Sequence, residues 1–367
     1  MIDFKNKHFH FNQLDGFRFI AVFSVLICHW VTYPAVRAIP LGSMGVNLFF
    51  VLSGFLITRI LLIDRESLPN SSVFAILKRF YIRRSLRIFP IYYLAILFLF
   101  IINFPYVRDH MGWLLTYTLN IKMSMPQVWE SDTLKQVSHL WSLSVEEQFY
   151  LFYPLTVLLT PFKYIKKGIY LTIAIGLLSR IGIYFFDGPV NAMYMFTTCC
   201  FDAFGLGALL AYMLLYEPAK VQAITQKTYL FWGFAAVFIC SLIYSHYFIP
   251  EYKECRTIME RFLFSLCAFW IIAKAVLSGY TGGFKAFIQN KKIVYLGQIS
   301  YGIYLYHFFV RPIFVMTNKP YYYYKEITGG HLLLNAFVFA IMTLAVSYLS
   351  WEYFEKPINR IKNKFNS

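Results

Sequence analysis

Long apolar runs alternate with short polar connections along almost the whole chain. A helix needs about 20 mostly apolar residues to cross a bilayer core. Candidate runs cover roughly 14–33, 44–63, 88–104, 141–160, 168–186, 192–215, 228–246, 257–277, 293–316 and 331–352. The pattern therefore predicts about ten transmembrane helices. Trp113–Asn120 reads as one additional re-entrant or interfacial piece, and Tyr321–Tyr324 as an interfacial tyrosine run. No internal repeat or low-complexity tract interrupts the series.

Composition agrees with this reading. The 367 residues are 59% hydrophobic and only 14% charged, against roughly 25% charged in soluble domains. Mean hydropathy is +0.54. The expected fold class is all-α and integral to the membrane: a polytopic bundle forming a single domain over 1–367. No small-residue cleavage site follows the first apolar run, so it reads as a permanent span rather than a signal peptide.

Net charge is +16, which suits either an anion-binding surface or the Lys/Arg excess of cytoplasmic loops. Lys and Arg in alternate connections decide between orientations. The set that includes the N-terminus, 59–87 and the tail holds 21, and the opposite set holds 8. Both termini are thus expected in the cytoplasm. Five of the six cysteines lie in apolar runs, and none has zinc-site or C-x-x-C spacing. No metal is expected.

Three polar constellations interrupt the apolar pattern, and ionisable side chains within spans are functional candidates. Arg18 and His29 stand eleven residues apart in LDGFRFIAVFSVLICHW. On a helix that spacing leaves them about 20° apart around the axis and about 16 Å apart along it. The bland reading has Arg18 snorkelling to the interface and His29 bonding a carbonyl. In KRFYIRRSLRIFPIYY, Arg84 and Arg87 are spaced i, i+3 and project from one helix face. Paired guanidinia suit phosphate, although a topology marker or lipid-headgroup contact would use the same residues. The third segment, HLWSLSVEEQFYLFYP, places His139 and Glu146 on one face, with Glu147 beside them. Adjacent carboxylates this close to hydrocarbon need partners, protonation or a water-filled cavity. His307, Arg180, Asp202, Glu260 and Arg261 read as internal bundle partners.

Taken together, these segments resemble acyltransferase family 3, a family of polytopic membrane acyltransferases. The Arg18–His29 segment resembles its Arg-x10-His opening, and GVNLFFVLSGFLIT its second-span signature. RRSLRIFPIYY is similar to its Arg-x-x-Arg element, and HLWSLSVEEQFYLFYP to its Trp-Ser-Leu-x-x-Glu-Glu-Gln-Phe-Tyr signature. FDAFGLGALLAY, GQISYGIYLYHF and WEYFEKPINR resemble further family segments in the same order. Two positions depart from the family pattern. Asn47 stands where an acidic residue is common, and Cys199 and Cys200 stand where an Arg is common.

The resemblance implies a membrane O-acyltransferase of the O-antigen or exopolysaccharide acetylase type, in the bacterial cytoplasmic (inner) membrane. The donor would be acetyl-CoA or another acyl-CoA, and the acceptor an envelope polysaccharide or lipid-linked glycan. No appended hydrolase-like domain is expected. Membrane lipids are further partners, a homo-oligomer is left open, and no nucleic acid is expected. Arg18, Arg84 and Arg87 would hold the CoA phosphates. His29 would act as general base or acyl carrier, with Glu147 or Glu146 orienting its imidazole. Trp141, His139 and Tyr150 are the candidate substrate-binding residues. A secondary transporter or a flippase of a lipid-linked glycan is the rival reading, because buried Arg, His and Glu also suit proton coupling. The chain lacks the paired broken repeats that such a protein would favour.

Overall fold

The computed structural model describes residues 4–6, 10–31, 33, 36, 38–126, 136–248, 253–318 and 332–361, so the run Tyr321–Tyr324 lies outside the described residues. Among them there is no strand. The principal helices are α1 (Asn12–Trp30), α2 (Leu41–Glu66), α3 (Val73–Ile101), α4 (Leu140–Leu159), α5 (Phe162–Phe185) and α6 (Phe201–Tyr216). They are followed by α7 (Thr228–Tyr247), α8 (Lys253–Leu277), α9 (Lys291–Gln298), α10 (Ser300–Asn318) and α11 (Leu332–Ser350).

Six helices are long and apolar enough to cross a membrane on their own, and up to eight spans result if each of two bent pairs is one span. The two remaining members of the expected ten are α1 and α4, of 19 and 20 residues. These are the helices that carry Arg18, His29, Glu146 and Glu147, and their polar residues dilute the apolar signal. The 293–316 run is divided as well, with α9 and α10 meeting at 72°. Broken helices at membrane depth persist where the freed backbone lines a cavity or is buried in protein. The other bent pair, α8 and the short helix Gly282–Ile288, turns through 91°. Gly279 and Gly282 make that turn at φ +71° and +64°, a region costly for side chains with a Cβ. Gln13 of α1 accepts from the Tyr280 amide at 3.0 Å, which ties the turn to the bundle.

At the centre stands α2, packed most extensively against α6 and α1. Lipid tails are as apolar as leucine, so close backbone approach at small residues must hold such helices together. A Cβ on Gly207 would lie 2.0 Å from the Val51 carbonyl oxygen, and one on Gly54 2.1 Å from that of Phe204. The glycines of two separate sequence motifs therefore interlock. Gly45 meets the Ala21 carbonyl in the same way, and Gly297 meets that of Asp15. Helices α5 and α7, by contrast, leave most of their apolar surface outward, including Leu171, Leu178, Trp232 and Ile243. That outer surface is suited to hydrocarbon rather than water.

Candidate active site

Five helices line a half-open cleft with about 80 Å³ of water-sized space inside it. Arg18 comes from α1, Ser53 from α2, Arg84 and Arg87 from α3, and Glu146 and Tyr150 from α4. Ser300, Tyr301 and Tyr304, at and just after the α9–α10 break, complete the wall. The three arginines expected to act together thus face one space, although they are separated by up to 69 positions in sequence.

A hydrogen-bonded chain organises this cavity. Arg18 donates to Asp15 Oδ1 at 2.9 Å, while Asp15 Oδ2 meets His10 Nε2 at 2.6 Å. Asp15 itself is buried. That bond raises the His10 imidazole, which lies before α1, above its ordinary pKa. On the opposite wall Ser53 donates to Glu146 Oε1 at 2.7 Å, and the Tyr150 hydroxyl donates to Ser53 at 3.0 Å. The Arg84 guanidinium stands over the Tyr150 ring, 4.7 Å from its centroid. The carboxylate of Glu146 therefore fixes the aromatic platform under Arg84.

His29 does not line the cavity. It lies beside two other histidines behind Tyr304, in a cluster that spacing along the sequence did not reveal. His307 Nδ1 is 2.6 Å from the Tyr304 carbonyl oxygen, which can only accept, so Nδ1 carries the proton. The neutral ring then leaves Nε2 bare, and His29 Nδ1 donates to it across 2.7 Å. The two rings stack at 5.0 Å with 5° between their planes. By this assignment His29 presents a bare Nε2. His139 donates from Nε2 to the Leu305 carbonyl at 3.1 Å, and its buried Nδ1 has no partner among the described residues. Its ring lies 5.1 Å from that of His307.

Tyr304 joins cavity and cluster. Its hydroxyl donates to the His139 carbonyl at 3.0 Å and meets Ser142 Oγ at 2.6 Å, while its ring lies 5.4 Å from His307.

The remaining expected residues are placed differently. The imidazole partner expected of Glu147 or Glu146 is, at His29 Nδ1, His307. Glu147 faces a neighbouring cavity with Arg84, Tyr93, Tyr117 and Gln148. Gln148 donates to the Tyr117 carbonyl and to Asn120 Oδ1, both at 2.8 Å, and so ties α4 to the segment before it. Trp141 is buried and packs on Tyr194 at 5.1 Å instead of facing the cavity. Sequence reasoning assigned His307 to helix–helix bonding. Its place i+3 from Tyr304 was the available signal, but only the approach of α10 to α1 makes it the partner of His29.

The polar residues read as internal partners are indeed bonded within the bundle. Arg180 donates from two nitrogens to the two oxygens of Asp202, at 3.0 and 2.6 Å, and to the Cys199 carbonyl at 2.7 Å. The cation absent from positions 199 and 200 is thus supplied from α5. Arg261 donates to Asn47 Oδ1 at 3.1 Å and to the Tyr194 carbonyl at 2.8 Å. Asn47 thereby accepts a cation without being acidic.

A family model described as an acyltransferase domain matches residues 11–352. Among curated proteins, one from Staphylococcus aureus (strain COL), named only as a candidate O-acetyltransferase, is 30% identical over 379 residues. The match covers 95% of this chain and 57% of that protein. The O-acetyltransferase OatA of Staphylococcus aureus (strain NCTC 8325 / PS 47) is 26% identical over 382 residues, again covering 95% of this chain and 57% of the relative. The chain thus spans little more than half the length of the curated relatives it matches. No solved structure matches it.

Proposed function

The chain belongs to this acyltransferase family, and from that premise we propose that it is a membrane O-acyltransferase taking acetyl or another acyl group from cytoplasmic acyl-CoA. The acceptor is a hydroxyl of a cell-envelope glycan or glycoside. The observation that carries the donor side is the convergence of Arg18, Arg84 and Arg87 on one cavity. Three guanidinia with fork geometry suit a diphosphate better than any uncharged ligand. The names of the curated relatives support O-acetyl transfer.

In this reading the CoA diphosphate lies at the arginines and the thioester reaches toward Tyr304. Movement of the Tyr304 side chain off the His139 carbonyl would admit it to His29. The bare Nε2 of His29 takes the acceptor's hydroxyl proton as that oxygen attacks the thioester carbonyl. A tetrahedral intermediate forms, the C–S bond breaks, and the CoA thiolate leaves with the proton returned from His29. His307 holds the His29 ring and its tautomer throughout.

The test is acetyl transfer from labelled acetyl-CoA by the full chain in proteoliposomes, with His29→Ala as the comparison. The reading expects transfer by the native chain and a loss of at least about a hundredfold in the variant. Transfer unaffected by the substitution removes His29 from the mechanism. Transport of a glycan without acyl consumption would favour the flippase class instead.

A further inference from the structure

Arg59, Arg65, Arg108, Arg180 and Arg261 each donate to a backbone carbonyl or a side-chain oxygen of the protein. Arg79, Arg83, Arg84 and Arg87 do not. Among the described residues, these four have no hydrogen bond or ion pair to a protein acceptor, and Arg84 meets only the Tyr150 ring. All four are half-buried on α3. Each guanidinium carries five N–H donors, and the four positive charges outnumber the single carboxylate, Asp64, that lines the same cleft.

These arginines line a second half-open cleft of about 110 Å³, together with Asp64, Ile60 and Phe80. Arg84 and Arg87 also line the first cleft, so this pair is common to both. Arg79 and Arg83 line the second and not the first. Their i, i+4 spacing puts them one helical turn apart, and Arg83 stands a further turn, about 6 Å, from Arg87.

We propose that Arg79 and Arg83 form a separate phosphate subsite for a phosphate monoester, which for a CoA donor is the 3′-phosphate on its ribose. The proposal rests on the acyl-CoA reading above. A diphosphate at Arg84 and Arg87 places the adenosine end at the junction, and the side cavity offers the next anion-binding group. A lipid headgroup presents the same phosphate chemistry. The arginine pair common to both clefts favours the nucleotide, because one polyanion can engage Arg84 and Arg87 together with Arg79 and Arg83.

The experiment measures binding of acetyl-CoA and 3′-dephospho-acetyl-CoA to the detergent-purified full chain. The native protein and the R79Q/R83Q variant are compared, with size-exclusion elution confirming folded protein. The native chain is expected to bind acetyl-CoA about tenfold or more tightly than the dephospho compound, and the variant to lose that difference. R79K/R83K keeps charge without the fork and should fall between them. It also serves if the glutamine variant fails to fold. Equal affinity of the native chain for both compounds, or equal weakening of both in the variant, overturns the subsite and leaves the donor reading standing. Failure of the native chain to bind either compound overturns both. Unchanged discrimination, with binding to phosphatidic-acid liposomes lost in the variant, would assign the pair to lipid and overturn the proposal.

Discussion

His29 and His307, 278 positions apart, share one short hydrogen bond from Nδ1 to Nε2, with their rings nearly parallel. The direction of that bond is set by a third atom, the Tyr304 carbonyl oxygen that takes the other proton of His307. Replacing His307 by Ala leaves His29 free to turn and to change tautomer. We expect acetyl transfer to fall about 10- to 100-fold, with little change in the KM for acetyl-CoA. His307→Gln keeps an acceptor for the His29 Nδ1–H and should recover part of the rate. A KM effect equal to the rate effect would make His307 a donor-binding residue instead.

Ser53 links Glu146 to the Tyr150 hydroxyl, and the Tyr150 ring carries Arg84. Ser53→Ala removes both bonds without touching an arginine. One lost neutral or charge-assisted bond is worth about 0.5–3 kcal/mol. The apparent affinity for acetyl-CoA should weaken a few-fold or more while kcat stays near native. Steady-state kinetics at varied acetyl-CoA checks this, and a pure kcat loss would detach the chain from donor binding.

Much of this was legible in sequence, for identifiable reasons. Arg18, Arg84, Arg87 and Glu146, which line one cleft, stand out in the sequence because charge inside apolar helices is costly. Apolar runs likewise located most helices. The partner of His29 was not legible, since neutral imidazole is inexpensive and nothing local in GQISYGIYLYHF indicates α1. The break at Ile299 was hidden inside one continuous apolar run, and the glycine contacts depend on which helices cross. Periodicity reports the face of a helix, whereas contact across 278 residues requires the fold.

Arg180 and Asp202 form a bidentate ion pair in which both side chains are almost wholly buried. Removing one partner leaves an uncompensated charge away from water. Asp202→Ala or Arg180→Ala should destabilise the fold by about 3–5 kcal/mol. Thermal unfolding in detergent would register this as a marked fall in Tm, or as loss of folded yield. Replacing both residues with apolar ones of similar volume should recover most of the loss. No recovery in the double variant would mean that the charges themselves are required.

Gly207 lies where α6 crosses α2, at the densest contact in the bundle. A Cβ there would sit 2.0 Å from the Val51 carbonyl oxygen and 2.6 Å from the Phe55 nitrogen. Both are backbone atoms, so no side-chain rotation can relieve the clash and the helices must move apart. Gly207→Ala should therefore cost about 1–3 kcal/mol, as overpacking does elsewhere, despite the better helix propensity of alanine. Gly182, on the outward-facing helix α5, has nothing within 4 Å of where a Cβ would lie. Gly182→Ala should be neutral or slightly stabilising in the same thermal assay. Because α2 also carries Ser53 and lines the cleft of Arg18, Arg84 and Arg87, the separation forced by Gly207→Ala should, on the proposed function, weaken acetyl-CoA binding as well as stability. Gly182→Ala should leave both intact. Equal behaviour of the two variants would show that the α2–α6 crossing does not govern the site.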